Sequence, residues 1–283
     1  MVRLSTPNDL NGIVSVWKEA FGDSEKDIRF FLDNHYKADN AVVYDSNGEV
    51  ASVLFLIDGF MHIKGKDYPS YYLYAACTMK KYRGRGIMSE MLEFTKNVAF
   101  NRQKFFVALK PAEDSLYNYY SRFGYQPVFS KKKAVFELTD ITDNTSIINN
   151  ETDIDFSLLR DNSFKSFDYF KWDNNAVDFA IKHHKYYGGN IAFNCNGYLL
   201  YSISDDFLYV KETTLPSCDI KKMASIIALK HGVNKIYCEL PFYYGLICDN
   251  IKTVKSGMLL PVCEEAKDLI LIIDNAYLSL TLD

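Results

Sequence analysis

Between Lys80 and Met88 the sequence combines two glycines with four basic side chains, and a segment of this kind can bind a phosphate. The residues are Lys80-Lys81-Tyr82-Arg83-Gly84-Arg85-Gly86-Ile87-Met88. An apolar run precedes the segment, and helical periodicity begins at its end. A glycine-rich turn that opens a helix directs several backbone N–H groups at one point, where the positive end of the helix dipole also lies. The turn therefore predicts a site for a phosphorylated cofactor.

Three cofactors compete for this turn. A nucleotide P-loop needs Lys followed by Ser or Thr, and two apolar residues stand there instead. A dinucleotide fingerprint needs a third glycine, where this chain has Ser89. Coenzyme A needs a short cradle for its pyrophosphate, which Arg83 to Met88 would provide. Its extended, amide-rich arm can pair with a strand edge near Ala76, Cys77 and Thr78. The turn therefore favours coenzyme A.

The segment from Arg83 to Met88 resembles the Arg/Gln-x-x-Gly-x-Gly/Ala acetyl-CoA motif of the GNAT acetyltransferase superfamily. The resemblance covers residues 1–140 and includes the segment Tyr120-Ser121-Arg122-Phe123-Gly124-Tyr125. It implies that Arg83 and Gly86 occupy the first and fourth motif positions, within a cofactor-binding run that includes Gly84, Arg85 and Ile87. The sixth position holds Met88 instead of Gly or Ala. Its side chain either crowds the pyrophosphate or points into the core.

Together with Met88, a second half of similar element order makes the chain similar to the Eis-type branch of this superfamily. That branch carries a further sterol-carrier-like domain, for which this chain looks too short. The resemblance implies an α+β fold of tandem acyl-CoA N-acyltransferase domains, with mixed, mostly antiparallel sheets flanked by helices. We expect the acetyl-CoA-binding domain at residues 1–140, a polar linker at 141–155 and a degenerate GNAT-like domain at 156–283.

The predicted second domain repeats the order helix, strand, hairpin, strand, turn, helix, strand, but it lacks the glycine turn. The corresponding loop is Leu215-Pro216-Ser217-Cys218-Asp219, and Asp219 would repel a phosphate. This half is therefore predicted to keep the fold without a cofactor site. Its pattern also predicts a largely helical segment over Phe164–His184 and a closing strand over Tyr277–Leu282.

Acyl transfer to an amine needs a bound thioester, a polarised carbonyl, a deprotonated amine and a proton for the leaving thiolate. Backbone N–H groups near Cys77 and Thr78 are candidates for polarising the carbonyl. The resemblance implies that Tyr120, four residues before Gly124, is the acid that protonates the thiolate. The alternative is that Tyr120 only packs against its neighbours. Ser115 either contacts the cofactor or caps its helix.

The general base is less evident from the sequence. Glu113 and Asp114 are candidates, although both are also ordinary residues of a first helical turn. In Eis-type enzymes the terminal carboxylate reaches the active site, so the resemblance implies that role for Asp283. Cys77 is an alternative nucleophile. No histidine lies near it in the sequence, and its apolar surroundings favour a structural role.

The charge and the composition of the chain limit the kinds of partner that it is expected to bind. The formal net charge of −4 argues against nucleic-acid binding, and so against a transferase that takes its acyl group from aminoacyl-tRNA. The chain has no run that would cross a bilayer and no signal peptide at its start, which predicts a cytoplasmic protein without membrane contact. None of the six cysteines forms a CxxC pair, so we expect reduced cysteines and no metal site.

The sequence thus predicts an acetyl-CoA-dependent N-acetyltransferase, in which a small or peptide primary amine attacks the thioester directly within a ternary complex. A non-catalytic CoA-binding or regulatory module on the same fold is the alternative. The sequence does not identify the acceptor amine. It is compatible with a homo-oligomer.

Overall fold

A computed structural model of the chain describes residues 1–138, 154–204, 206–245 and 250–282. Of the predicted linker at 141–155, all but Ile154 and Asp155 lies outside these ranges. Three short 3-10 helices occur at Pro7–Asp9, Ala38–Asn40 and Lys80–Tyr82. The strands and longer helices are, in chain order, β1 (Val2–Leu4), α1 (Leu10–Phe21), α2 (Glu25–His35), β2 (Ala41–Ser46), β3 (Glu49–Ile63), β4 (Lys66–Thr78), α3 (Ile87–Asn101), β5 (Phe106–Leu109), α4 (Ser115–Ser121), β6 (Gln126–Glu137), α5 (Phe156–Phe164), β7 (Tyr169–Trp172), α6 (Asn174–Tyr186), β8 (Asn190–Asn194), β9 (Gly197–Ile203), β10 (Phe207–Thr213), α7 (Ser217–Lys230), β11 (Lys235–Pro241), β12 (Asn250–Pro261) and α8 (Glu264–Ile270).

The chain divides into two compact units. The first contains Met1–Met61, Asp67–Pro127 and Met258–Ile272, and the second contains His62–Lys66, Val128–Gly257 and the chain from Ile273 onward. These units are interleaved along the sequence, whereas the predicted domains were consecutive. The segment Met258–Ile272, expected in the second domain, belongs to the first unit because its strand pairs with β5 in antiparallel register.

The sheet of the first unit has the strand order β1-β2-β3-β4-β5-β12. Its β4 and β5 are parallel, and α3 connects them. The β4–β5 ladder runs from Ser70 opposite Phe106 to Leu73 opposite Leu109. At that point β5 ends, while β4 continues to Thr78. The carboxyl end of β4 therefore extends beyond its parallel neighbour and leads directly into the glycine turn.

Helix α3 is fixed to the core of the first unit by one apolar face. Ile87, Met91 and Leu92 recur at helical spacing and are buried in the same cluster as Leu73 of β4 and Leu109 of β5. Burial of about 25 cal/mol per Å² of apolar surface drives this packing. The start of α3 is thereby held in a fixed position after β4.

The second unit contains the strand order β6-β11-β10-β9-β8. Here too, a parallel pair, β10 and β11, is connected by a helix, α7. The ladder ends at Val210 opposite Cys238, and β10 has an irregularity between Val210 and Glu212 before it ends at Thr213. Both units therefore share one strand–helix–strand arrangement, as expected for tandem copies of one fold.

The region that follows the ladder differs between the units. Two residues beyond it, the first unit has Ala75 and the second has Glu212. The carboxylate of Glu212 is fully buried and accepts hydrogen bonds from Arg160, Tyr198 and Ser279. Side chains therefore fill this place in the second unit, and its α7 starts after Pro216, without a glycine turn.

Two expectations for the second half need correction. Phe164–His184 is helical only in part: α5 ends at Phe164, and β7, whose residues Tyr169, Phe170 and Trp172 are buried, precedes α6. The side chain of Asp173 accepts a hydrogen bond from the N–H of Ala176 and starts the new helix at α6.

The segment Tyr277–Leu282 is buried but does not form the predicted strand. Only an isolated parallel bridge joins Tyr169 to Tyr277 among the described residues, and Leu280 has a left-handed φ of 53°. A left-handed residue interrupts the extended conformation that a continuous ladder needs. The segment is held instead by side chains, including Trp172, whose Nε1 donates to the Ser279 carbonyl oxygen at 2.8 Å.

Replacing Arg160 should destabilise the protein strongly. Its Nε and Nη2 donate to Glu212 at 3.0 and 3.1 Å, so Arg160→Met would leave a buried carboxylate without its counter-charge. We expect the free energy of unfolding in urea to fall by about 3–5 kcal/mol. Arg29→Met is the control, because Arg29 pairs with Glu25 on the exposed face of α2 and the loss should be below about 1 kcal/mol. Equal effects of the two substitutions would contradict this account.

Candidate active site

Gly84 and Gly86 form an open turn in front of α3. Their φ angles are +75° and +79°, a left-handed conformation that glycine adopts without steric cost. A Cβ atom added at either position would meet no other atom within 4 Å, so the space above both glycines is open. The first helical hydrogen bond runs from the Glu90 N–H to the Gly86 carbonyl oxygen at 3.1 Å. The preceding N–H groups of the helix start therefore remain available to an anion.

The carboxyl end of β4 is shaped by Ala75 and by Ser52 of β3. Ala75 has a φ of +48°, which is uncommon for a residue with a side chain and marks a local distortion of the strand. The Ser52 hydroxyl donates to the Cys77 carbonyl oxygen at 2.6 Å and lies 2.8 Å from the Thr78 hydroxyl. Arg83 Nε donates to the Thr78 carbonyl oxygen at 2.9 Å. Strand end and glycine turn are thereby joined at the residues predicted from the sequence.

The Cys77 side chain is buried at this strand end. Burial raises the pKa of its thiol to about 12, although the nearby positive charge of Arg83 acts in the opposite direction. A thiol with such a pKa is protonated at neutral pH and is a poor nucleophile. The structure therefore favours the structural role of Cys77 over the nucleophilic one.

Met88, the residue that departs from the family motif, is half-buried and packs against the core of the first unit. Ile87 before it is buried in the same core. Of the two orientations that the sequence left open, this packing agrees with the one in which the Met88 side chain points into the core.

Two glutamates hold the turn that precedes the glycines, and sequence reasoning missed both. Glu49 accepts hydrogen bonds from Lys81 Nζ at 2.6 Å and from the Tyr82 hydroxyl at 2.7 Å. Glu19 accepts one from the Lys80 N–H at 2.6 Å. Neither glutamate lies near the turn in sequence, so no local spacing could have revealed them.

Tyr120 lies near the end of α4 and is 9% exposed. Its ring contacts Tyr119 and Tyr125 at centroid distances of 5.3 and 5.7 Å. Burial, and then the neighbouring Tyr119, raise the pKa of its phenol to about 12. Tyr120 is thus a largely buried phenol that is protonated at neutral pH.

Two features orient Tyr120. Gly124 ends the α4 turn with a φ of +90°, and a Cβ there would lie 3.2 Å from Leu260 Cδ1, so a larger residue would disturb the turn. Tyr72 of β4 is fully buried, and burial followed by the charges of Tyr74 and Tyr120 raises the pKa of its phenol. Tyr120 is also buried in the same cluster as Leu73 of β4, the strand that ends at Thr78.

The last two predicted site residues are Ser115 and Asp283. The Ser115 hydroxyl donates to the carboxylate of Glu113, and Ser115, Glu113 and Asp114 are all exposed at the start of α4. The observed contact of Ser115 is therefore local to its helix. Asp283 lies outside the described residues.

The described part of the chain lacks two other kinds of feature. In these ranges, no group of three or more His, Cys, Asp or Glu side chains is arranged to hold a metal ion. Nor does any helix there combine the length and the apolar character needed to cross a membrane. The five described cysteines are free thiols.

Comparison with known proteins gives a family match for part of the chain and a fold for most of it. Residues 1–128 match the family model described as an acetyltransferase (GNAT) domain. No curated protein matches the sequence.

Solved structures match most of the chain. A GCN5-related N-acetyltransferase from Kribbella flavida aligns at 15% identity and a TM-score of 0.73, over 92% of this chain and 70% of that one. Eis1 from Mycobacterium abscessus aligns at 13% identity and 0.70, over 94% and 75%. A putative acetyltransferase from Pyrococcus horikoshii aligns at 13% and 0.58, over 99% and 95%.

At these identities the solved structures establish the fold, and the family model adds the kind of domain. Both agree with the glycine turn and with the repeated strand–helix–strand arrangement. Residues 1–128 therefore match a GNAT acetyltransferase domain, and the chain shares its fold with the GCN5-related N-acetyltransferase from Kribbella flavida and with Eis1 from Mycobacterium abscessus.

Proposed function

We propose that the protein is an acetyl-CoA-dependent N-acetyltransferase that transfers the acetyl group to a primary amine by direct attack in a ternary complex. The observation that carries the proposal is the open glycine turn at the start of α3, where Gly84 and Gly86 leave the backbone accessible. The second unit lacks such a turn and has Pro216 before its corresponding helix. One acetyl-CoA per chain follows from this difference.

In this proposal the pyrophosphate of acetyl-CoA binds at the turn. Backbone N–H groups from Gly84 to Met88 and the positive end of α3 attract the phosphate oxygens, with Arg83 and Arg85 as the nearest side-chain charges. The pantetheine arm follows β4 along Ala76, Cys77 and Thr78, where this strand extends beyond β5. The reactive thioester then lies near the β4 end, on the side of Tyr120.

The chemistry is a substitution at the acetyl carbonyl carbon. The nitrogen of the neutral amine attacks this carbon, the new C–N bond forms, and the C–S bond breaks. The departing thiolate takes a proton from the Tyr120 hydroxyl, and the tyrosinate regains a proton from the ammonium produced by the attack. Burial raises the pKa of the Tyr120 phenol to about 12, and withdrawal from water would likewise raise the pKa of the CoA thiol, so the departing thiolate is basic enough to accept this proton.

Calorimetry and a thiol assay test the proposal directly. Isothermal titration with acetyl-CoA should show binding at one site per chain, and release of free CoA thiol should depend on an added amine from a panel of small amines and peptides. Binding without amine-dependent thiol release would favour the non-catalytic CoA-binding module. Absence of acetyl-CoA binding would overturn both readings of the turn.

The substitution Gly86→Ala should weaken acetyl-CoA binding. An alanine disfavours the φ of +79° by about 1–2 kcal/mol, and relaxation of this strain would turn the helix-start N–H groups away from the pyrophosphate. We expect the Kd for acetyl-CoA to rise about tenfold in calorimetry. Gly22→Ala is the matched control, since Gly22 has a φ of +81° at the end of α1 and also borders open space. A similar loss of affinity in the control would show that strain alone, and not the turn, is responsible.

The substitution Tyr120→Phe should reduce kcat and leave acetyl-CoA binding intact. It removes the hydroxyl that protonates the thiolate but keeps the ring contacts with Tyr119 and Tyr125. We expect kcat in the thiol assay to fall about a hundredfold, with a Kd for acetyl-CoA near that of the unmodified protein. Tyr119→Phe, one residue earlier in α4, should change neither quantity. The acid role fails if the loss of kcat comes with a comparable rise in the Kd for acetyl-CoA, or if kcat is retained.

A further inference from the structure

Glu49 stands at the start of β3 and reaches across to the turn before the glycines. Its carboxylate accepts two contacts from Lys81 Nζ, at 2.6 and 2.8 Å, and one from the Tyr82 hydroxyl, at 2.7 Å. Lys81 and then Tyr82 lower the pKa of this carboxyl group below its ordinary value, so Glu49 is ionised at neutral pH. The negative charge of Glu49 is thus held beside a turn whose proposed ligand is an anion.

Tyr82 contacts Glu49 through its hydroxyl and Arg85, between the two glycines, through its ring. Its ring is half-buried against the core of the first unit. The guanidinium of Arg85 lies over this ring at 5.4 Å from the centroid, and Lys81 Nζ lies over it at 5.0 Å. A cation held over an aromatic face gains a modest attraction and a defined position. The orientation of Arg85, between the two glycines, therefore depends on a tyrosine that Glu49 holds by its hydroxyl.

The charge of Lys81 is compensated by Glu49 within the loop. Of the basic side chains in the motif, Arg83 is tied to the Thr78 carbonyl oxygen through Nε, and Arg85 lies on Tyr82. Lys81 instead forms an ion pair with Glu49, with its Nζ directed at the carboxylate. This arrangement uses one lysine to retain the glutamate and leaves the arginines nearest the glycines for the ligand.

We propose that Glu49 is a positioning residue for the acetyl-CoA site: through the Tyr82 hydroxyl it fixes the ring on which Arg85 rests, and so sets the glycine turn for the pyrophosphate. The inference rests on the proposed cofactor. Glu49 makes no contact with the reacting atoms in this scheme, so it acts on cofactor affinity and not on the chemical step.

Coulomb's law and the positioning role predict opposite changes in acetyl-CoA affinity when Glu49 is replaced. Removing a negative charge near a pyrophosphate, and releasing Lys81, should tighten acetyl-CoA binding about twofold if charge alone decides. If Glu49 positions Tyr82 and Arg85, its removal should weaken binding about five- to tenfold, as expected for the loss of one hydrogen bond of ordinary strength. The direction of the change therefore decides between the two.

Calorimetric Kd values for acetyl-CoA, with KM and kcat from the thiol assay, test this inference. We expect Glu49→Ala and Tyr82→Phe each to raise Kd and KM about five- to tenfold, with kcat within about twofold and an unchanged unfolding temperature. Glu49→Gln keeps an oxygen that can accept from the Tyr82 hydroxyl and should restore most of the affinity. The double variant Glu49→Ala/Tyr82→Phe should resemble either single variant, because both remove the same interaction.

Glu90→Gln is the matched control for charge. Glu90 is an exposed carboxylate in the first turn of α3, and its side chain lies outside the Glu49–Tyr82 contact. Its replacement should tighten acetyl-CoA binding slightly. The inference is overturned if Glu49→Ala binds as tightly as the unmodified protein or more tightly, or if the effects of Glu49→Ala and Tyr82→Phe add. If the unmodified protein does not bind acetyl-CoA, the proposed function itself is overturned.

Discussion

The start of α3 is constrained by two left-handed glycines on an exposed turn, and the surrounding structure serves to hold that turn in place. Such a conformation cannot be stabilised by burial, because nothing covers Gly84 or Gly86. It is instead held from its two ends. Apolar residues of α3 anchor the helix in the core, while Arg83 bonds the end of β4 and Glu49 fixes Tyr82. An open set of N–H groups thereby acquires a fixed direction, which is what an anion-binding site requires.

The second unit shows what the same arrangement becomes without that turn. It keeps the parallel pair β10 and β11 and the connecting helix α7. At the place of Ala75 it has Glu212, and a buried network of Arg160, Tyr198 and Ser279 satisfies the carboxylate. A buried ion pair of this kind is tolerated only while both partners are present. Removal of one partner leaves a buried charge that neither a counter-charge nor water compensates. The second unit therefore has the same strand–helix–strand arrangement, but buried side chains occupy the end of its β10.

The sequence was most informative where local chemistry and chain order coincide. The glycine turn could be predicted because Gly84 and Gly86, separated by one residue, can adopt the positive φ angles of the turn, and because an apolar run before it and a helical period after it are visible in the sequence. The break between α5 and α6 could not, since the aromatic residues of β7 fit a helix as well as a strand in isolation. The assignment of Met258–Ile272 to the first unit depends on a pairing with β5 that is distant in sequence. Glu49 and Glu19 were missed for the same reason: their partners in the turn lie beyond any local spacing.

A crystal structure of the protein with bound CoA would test the central claim most directly. The account predicts that pyrophosphate oxygens lie about 3 Å from backbone nitrogens between Gly84 and Met88, with the pantetheine arm along the end of β4. Ala76, Cys77 and Thr78 should then face the arm, and the CoA sulfur should lie within hydrogen-bond reach of the Tyr120 hydroxyl. A pyrophosphate bound elsewhere, with the turn between Gly84 and Gly86 left empty, would contradict the account.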